Sequence, residues 1–113
     1  MKTAGIIVTT GNEVAGLEIC EYLGVVRGIV VRAPTISQGI AGGFKQMFGG
    51  NIEAYAEACE TARETSFQRM VLHATNLHAD AIIGMRYDAT EFSDAVTEVL
   101  SYGTAVRLRP IER

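Results

Sequence analysis

Along Tyr22–Arg32 (YLGVVRGIVVR) apolar residues occupy both alternating sets of a strand. One set carries Leu23, Val25, Arg27, Ile29 and Val31; the other carries Tyr22, Gly24, Val26, Gly28, Val30 and Arg32. A strand with one wet face alternates apolar and polar residues, so a near-continuous apolar run implies cover on both sides. In a chain of 113 residues with one long helix, a second copy of the chain is the simplest source of the second cover. The pattern therefore predicts a homo-oligomer.

The rest of the chain divides by the same criterion. Gly5–Thr10 (GIIVTT) reads as a short strand and Asn12–Glu21 as a connection; the long strand Tyr22–Ala33 stops at Pro34, which lacks an N–H for a ladder. In the glycine-rich segment that follows, Ile36, Ile40, Phe44, Met47 and Phe48 fall at helical offsets, predicting a short helix over Ser37–Phe48. Ile52–Leu77 is the dominant helix, with Asn51 as N-cap and an apolar stripe of Ile52, Tyr55, Cys59, Ala62, Ser66, Met70 and His73 or Ala74 up to Leu77, widened by Phe67 and Val71. No glycine ends it, and His78 takes the left-handed cap position. Ala81–Ala89 and Thr97–Pro110 are two more strands, joined by the polar loop Thr90–Val96. Strand, strand, helix pair, strand, strand is an α+β order, expected as one domain over residues 1–113.

Charge narrows the partners. Net charge is −3, and the ten basic residues are scattered, which argues against a nucleic-acid binder and an anionic membrane surface. No stretch approaches the ~20 apolar residues of a membrane span, and the N-terminus has no signal-peptide segment. A cytoplasmic protein is expected, with Cys20 and Cys59 reduced and buried as small hydrophobes.

Candidate chemistry centres on charged residues set into apolar strands. Arg27 falls in phase with Val25 and Ile29, while Arg86 and Asp88 are in phase with Ile82 and Gly84. A buried guanidinium must be paired, because an isolated buried charge costs several kcal/mol. Arg27, Arg86 and Asp88 are thus either a ligand-binding group at a subunit interface or ion pairs that fix strand register. Metal chemistry has no local motif: CxxC and HExxH are absent, and His73 and His78 stand about 140° apart on a helix. The glycines of Gly39–Gly50 do not have the phosphate-loop order, and no nucleophile triad is nominated. No residue set nominates an enzyme, and a site shared between two subunits is the less favoured alternative to a binding or purely structural module.

The segments TTGNEVAG, EYLGVVRGIVVRAP, FGGNIEAYAE, AIIGMRYDAT and TEVLSYGTAV resemble the YbjQ-type family, which carries a heavy-metal-binding label. The resemblance runs through nearly the whole chain. It implies a two-layer, dodecin-like subunit in which an antiparallel sheet is packed by one long and one short helix, assembled as a homopentameric ring. A metal ion at subunit interfaces is implied by the resemblance alone, with no ligand set that can be placed on this sequence. Gly11, Ala15 and His78 depart from the family's pattern of threonine, proline and glycine.

Overall fold

A computed structural model describes residues 2–3, 5–32, 52–93 and 96–112. The elements are β1 (Lys2–Thr3), β2 (Ile6–Val8), β3 (Leu17–Arg32), α1 (Ile52–Asn76), β4 (Ala81–Ser93) and β5 (Val96–Pro110). The short helix expected over Ser37–Phe48 and the Asn51 cap lie outside the described residues.

The five strands form one sheet in the order β1-β2-β4-β5-β3, with α1 laid on one face, a two-layer α+β fold. It is mixed rather than antiparallel throughout. β4–β5 and β5–β3 are antiparallel, but β2 lies parallel to β4, with Ile7 opposite Ala81 and Val8 opposite Ile82. Parallel neighbours need a long crossover, and β3 and α1 provide it between β2 and β4.

Strand β3 begins at Leu17, not Tyr22, because Leu17–Glu21 pairs with Arg107–Pro110 at the far end of β5. Local irregularity hid this extension: register shifts fall between Ile19 and Glu21 and between Tyr22 and Gly24. Cys20 is the extra residue of the first, and it is exposed rather than buried. Likewise β4 continues through Ser93 into residues expected as loop, since Thr90 and Glu91 still pair with Glu98 and Thr97.

The main core lies between α1 and the sheet. Phe67, Met70, Val71 and Ala74 of the helix meet Val26, Ile82, Met85 and Ala105, with Ile6 and Val8 at one end. The helix approaches β3 so closely that a Cβ on Gly28 would stand 2.0 Å from the Ser66 carbonyl oxygen. Beside it the buried hydroxyls of Ser66 and Ser101 are 2.5 Å apart, and Ser66 Oγ donates to the Arg63 carbonyl at 2.9 Å. The helix ends as expected on His78, at φ 61°. The His78 N–H donates to Thr75 and the Ala79 N–H to Ala74, the two bonds of a Schellman cap.

On the opposite face one end is covered by described residues. Ala81, Ile83 and Val106 pack there with Val14, Ile7, Ile19 and Leu108. The remainder of that face carries no second layer among the described residues, and the molecule is long, 61 × 23 × 19 Å. Its radius of gyration is 17.4 Å, against about 13 Å for a compact chain of this length.

Candidate functional site

The uncovered face takes its composition from strand alternation. Val26, Gly28 and Val30 point to α1, so Val25, Arg27, Ile29 and Val31 point away from it. The β5 residues paired with these are Thr104, Tyr102, Leu100 and Glu98. On β4 the same face continues with Ile83, Arg86, Asp88 and Thr90. The alternation expected on β4 breaks at Gly84, whose φ of 61° marks a bulge between Ile83 and Arg86. Arg86 and Asp88 therefore do not share a face with Ile82, which is buried under α1. The extra residue moves both charges to the open face.

Register thus brings the three candidate residues onto one surface. Arg27 and Arg86 flank Tyr102 in a single cross-strand row, and Asp88 stands one row further along β4, opposite Leu100. No ion pair joins them among the described residues, where the pairs are Arg63–Glu60 and Arg109–Glu18. Arg86 is engaged otherwise. Its Nη1 donates to the carbonyls of Thr10 at 2.9 Å and Met85 at 2.8 Å. Together with bonds from Gly84 N to Gly11 O and from Met85 N to Thr9 O, this ties the turn after β2 to the bulge. Asp88 Oδ1 accepts from the Ala89 N–H at 2.9 Å. The Arg27 guanidinium has no hydrogen-bonded partner among the described residues, although its backbone N–H donates to His73 Nδ1 at 3.2 Å.

That last bond belongs to a second feature, one the sequence pattern did not reveal. β3 is an edge strand, and α1 reaches over its outer margin at two points. His73 accepts from Arg27 N–H, and Arg69 Nη1 donates to the Ile29 carbonyl at 2.6 Å. Arg69 and His73 are one turn apart on the helix, and that spacing is the only trace they leave in the sequence.

On the helix side of the sheet, burial raises the Tyr87 pKa above its ordinary value of 10.0, and the carboxylates of Glu64 and Glu60 raise it further. Here the phenol faces helical carboxylates, away from the Arg27 row.

The donor sets for a metal ion are poor in one chain. Among the described residues no three His, Cys, Asp or Glu side chains converge. His73 already uses Nδ1 as an acceptor, and neither Cys20 nor Cys59 has a second soft donor grouped with it. These residues do not fit a heavy-metal centre, which needs three or four convergent donors. Among them, too, no helix is long and apolar enough to cross a membrane.

One helix on a mixed sheet, with an opposite face that is half-bare among the described residues and carries two arginines, defines a small two-layer α+β protein. By sequence, the chain belongs to the YbjQ family, described as "Putative heavy-metal-binding", whose model matches residues 6–109. It is 59% identical to a UPF0145 protein of Legionella pneumophila over 89% of this chain and 96% of the relative. It is also 50% identical to a UPF0145 protein of Chromobacterium violaceum, over 93% and 90% of the two chains. In fold it is similar to a crystal structure of a DUF74-family protein of unknown function from Pediococcus pentosaceus. The TM-score is 0.60 at 20% identity, covering 93% of this chain and 99% of the other.

Proposed function

We propose that this chain is a self-assembling subunit, one domain over residues 1–113, whose open sheet face meets further copies of itself and encloses a small-ligand site. The observation that carries the reading is the state of β3: Val25 is 67% exposed, Val31 59% and Ile29 38%. Covering such side chains contributes about 1.5–3 kcal/mol each when burial is complete. A contiguous apolar strip of this kind marks an interaction surface rather than a solvated face. The partner is a second copy because the elongated single chain leaves its longest strand half-covered, the condition that assembly with its own kind relieves. A ring of five with dodecin-like subunits is the form implied by the resemblance of the Gly24–Gly28 and Gly84–Asp88 blocks to YbjQ-type chains.

Sedimentation at low micromolar concentration tests this directly. The wild-type chain is expected to sediment as a discrete oligomer, and Val25→Glu with Val31→Glu as a folded monomer. A compact wild-type monomer at that concentration overturns the reading. For the metal, native mass spectrometry of the assembled protein with a soft divalent ion decides whether donors from several copies converge. Bound metal at defined stoichiometry supports the family's description; none at micromolar ion removes it from this chain.

A further inference from the structure

The charges of the open face are sorted along its length, and two of them are unanswered. In cross-strand rows the face runs from Arg27 and Tyr102, through Ile29 and Leu100, to Val31 and Glu98. A cation thus lies one row to one side of the apolar Ile29–Leu100 pair, and an anion one row to the other. Neither the Arg27 guanidinium nor the Glu98 carboxylate has an ion pair or hydrogen bond among the described residues. The other charges of the face are engaged: Arg86 holds the Thr10 and Met85 carbonyls on the β2 side of β4, and Asp88 accepts from the Ala89 N–H. Within one chain Arg27 and Glu98 stand four residues along β3 and one strand across. Their Cα atoms are then about 14 Å apart, beyond the combined reach of an arginine and a glutamate. Glu98 is already half-buried, and closing an apolar surface over either charge alone leaves it desolvated without a partner.

We propose that Arg27 of one copy pairs with Glu98 of another, and that this pair fixes the register in which the open faces meet. A second copy laid on the face with its strands reversed brings its Glu98 row over the first copy's Arg27 row, while Ile29 and Leu100 meet their own counterparts. Packed sheets lie about 10 Å apart, a gap that the two side chains span from opposite sides. The pattern is self-complementary: each copy carries the charge that the other lacks, and a partner of one sign would leave one of the two unpaired. The inference rests on the self-assembly reading, because the second copy contributes half of the pair.

Sedimentation of wild type, Arg27→Glu, Glu98→Arg and the variant carrying both changes, at one pH and ionic strength, tests the pair. Circular dichroism checks that each chain is folded. A single reversal sets like charges against each other and should weaken self-association about tenfold or more. The double variant restores opposite charges in exchanged positions and should recover most of that loss. Asp88→Arg should not rescue Arg27→Glu. Single variants that assemble like wild type overturn the proposal, as does a double variant whose loss equals the two single losses combined, or rescue by Asp88→Arg. If a reversal unfolds the chain, Arg27→Gln and Glu98→Gln carry the same cycle, and additive losses there overturn the pair equally. In these cases the oligomer itself stands. A monomeric wild type instead removes the self-assembly reading, and the pair with it.

Discussion

Replacing Gly28 by alanine puts a methyl carbon where the helix already has backbone. The new Cβ would lie 2.0 Å from the Ser66 carbonyl oxygen, 2.5 Å from the Met70 nitrogen and 2.8 Å from the Arg69 Cβ. Backbone atoms cannot rotate away, so α1 must lift from β3 by about 1 Å or more to restore ordinary contact. Lifting loosens Val26 against Met70 and strains the Ser66–Ser101 bond. Overpacking costs about 1–3 kcal/mol when side chains can adjust, and a rigid obstruction lies at or beyond the upper end. Adding about 1 kcal/mol for the weakened hydroxyl pair gives a loss of about 3–4 kcal/mol. Alanine's better strand propensity offsets no more than about 1 kcal/mol. For a chain of this size the loss corresponds to a fall in Tm of roughly 10–20 °C. Urea denaturation at one fixed protomer concentration measures it, since the proposed self-association would also contribute to stability. Gly11→Ala is the control: its Cβ would meet only Thr9 Oγ1, at 3.5 Å, and should change stability by less than about 0.5 kcal/mol. Gly28→Ala within that same margin would refute the close seating of α1 on β3.

Other perturbations test separate contacts. Ser66→Ala strands the buried Ser101 hydroxyl and should cost about 1–3 kcal/mol; adding Ser101→Ala removes the orphan and should return part of the loss, read from a double-mutant cycle. His78→Gly relieves a left-handed residue at the Schellman cap and should stabilise by about 1 kcal/mol in urea, whereas no gain would mean that His78 is not strained there. Arg69→Ala combined with His73→Ala bares the Arg27 N–H and the Ile29 carbonyl, so light scattering should rise faster than for wild type; equal solubility would show that these caps do not protect the edge. Because the folded state holds the Tyr87 proton more tightly, its stabilisation is complete below pH 10 and is lost as pH rises through the folded pKa. Glu64→Gln should therefore lower that pKa in a phenolate absorbance titration, and an unchanged value would separate Tyr87 from the helical carboxylates.

Long periodic signals survived the comparison between sequence and structure, and local irregularities did not. The stripe is buried from Ala62 to Ala74, because one apolar face of a long helix has only one place to go, but Leu77 at its end is exposed, and of the two residues at 73 and 74 it is Ala74 that is buried and His73 that faces out. The left-handed end at His78 was legible because the apolar spacing stops there without a glycine to end the helix. By contrast, bulges at Cys20 and Leu23 concealed the first turn of pairing in β3, and the bulge at Gly84 inverted the faces of everything after it on β4. A bulge is one residue inserted into a two-residue period, so an alternation count cannot see it without the partner strand. The parallel pairing of β2 was equally hidden, since three residues carry no record of strand direction. For the site, Arg27, Arg86 and Asp88 stood out as charges within apolar runs. Their shared row with Tyr102 depends on cross-strand register, which no single segment encodes.

The two exposed features of β3 point to different modes of association, and the structure treats them differently. An uncapped edge invites another strand to add through main-chain hydrogen bonds, without regard to side chains. Here two helical side chains close the edge at Arg27 and Ile29, and the bulges at Cys20 and Leu23 interrupt the ladder geometry further along. Among the described residues the face has no such protection: Val25, Ile29 and Val31 are exposed beside Leu100 and Arg27. Chains that blunt an edge while leaving the adjacent face greasy favour a partner recognised by shape and charge over one recognised by backbone alone. In the self-assembly proposed above, a desolvated Arg27 guanidinium would weaken every docking that leaves it unpaired, and so would select among the arrangements of copies that apolar contact alone would accept.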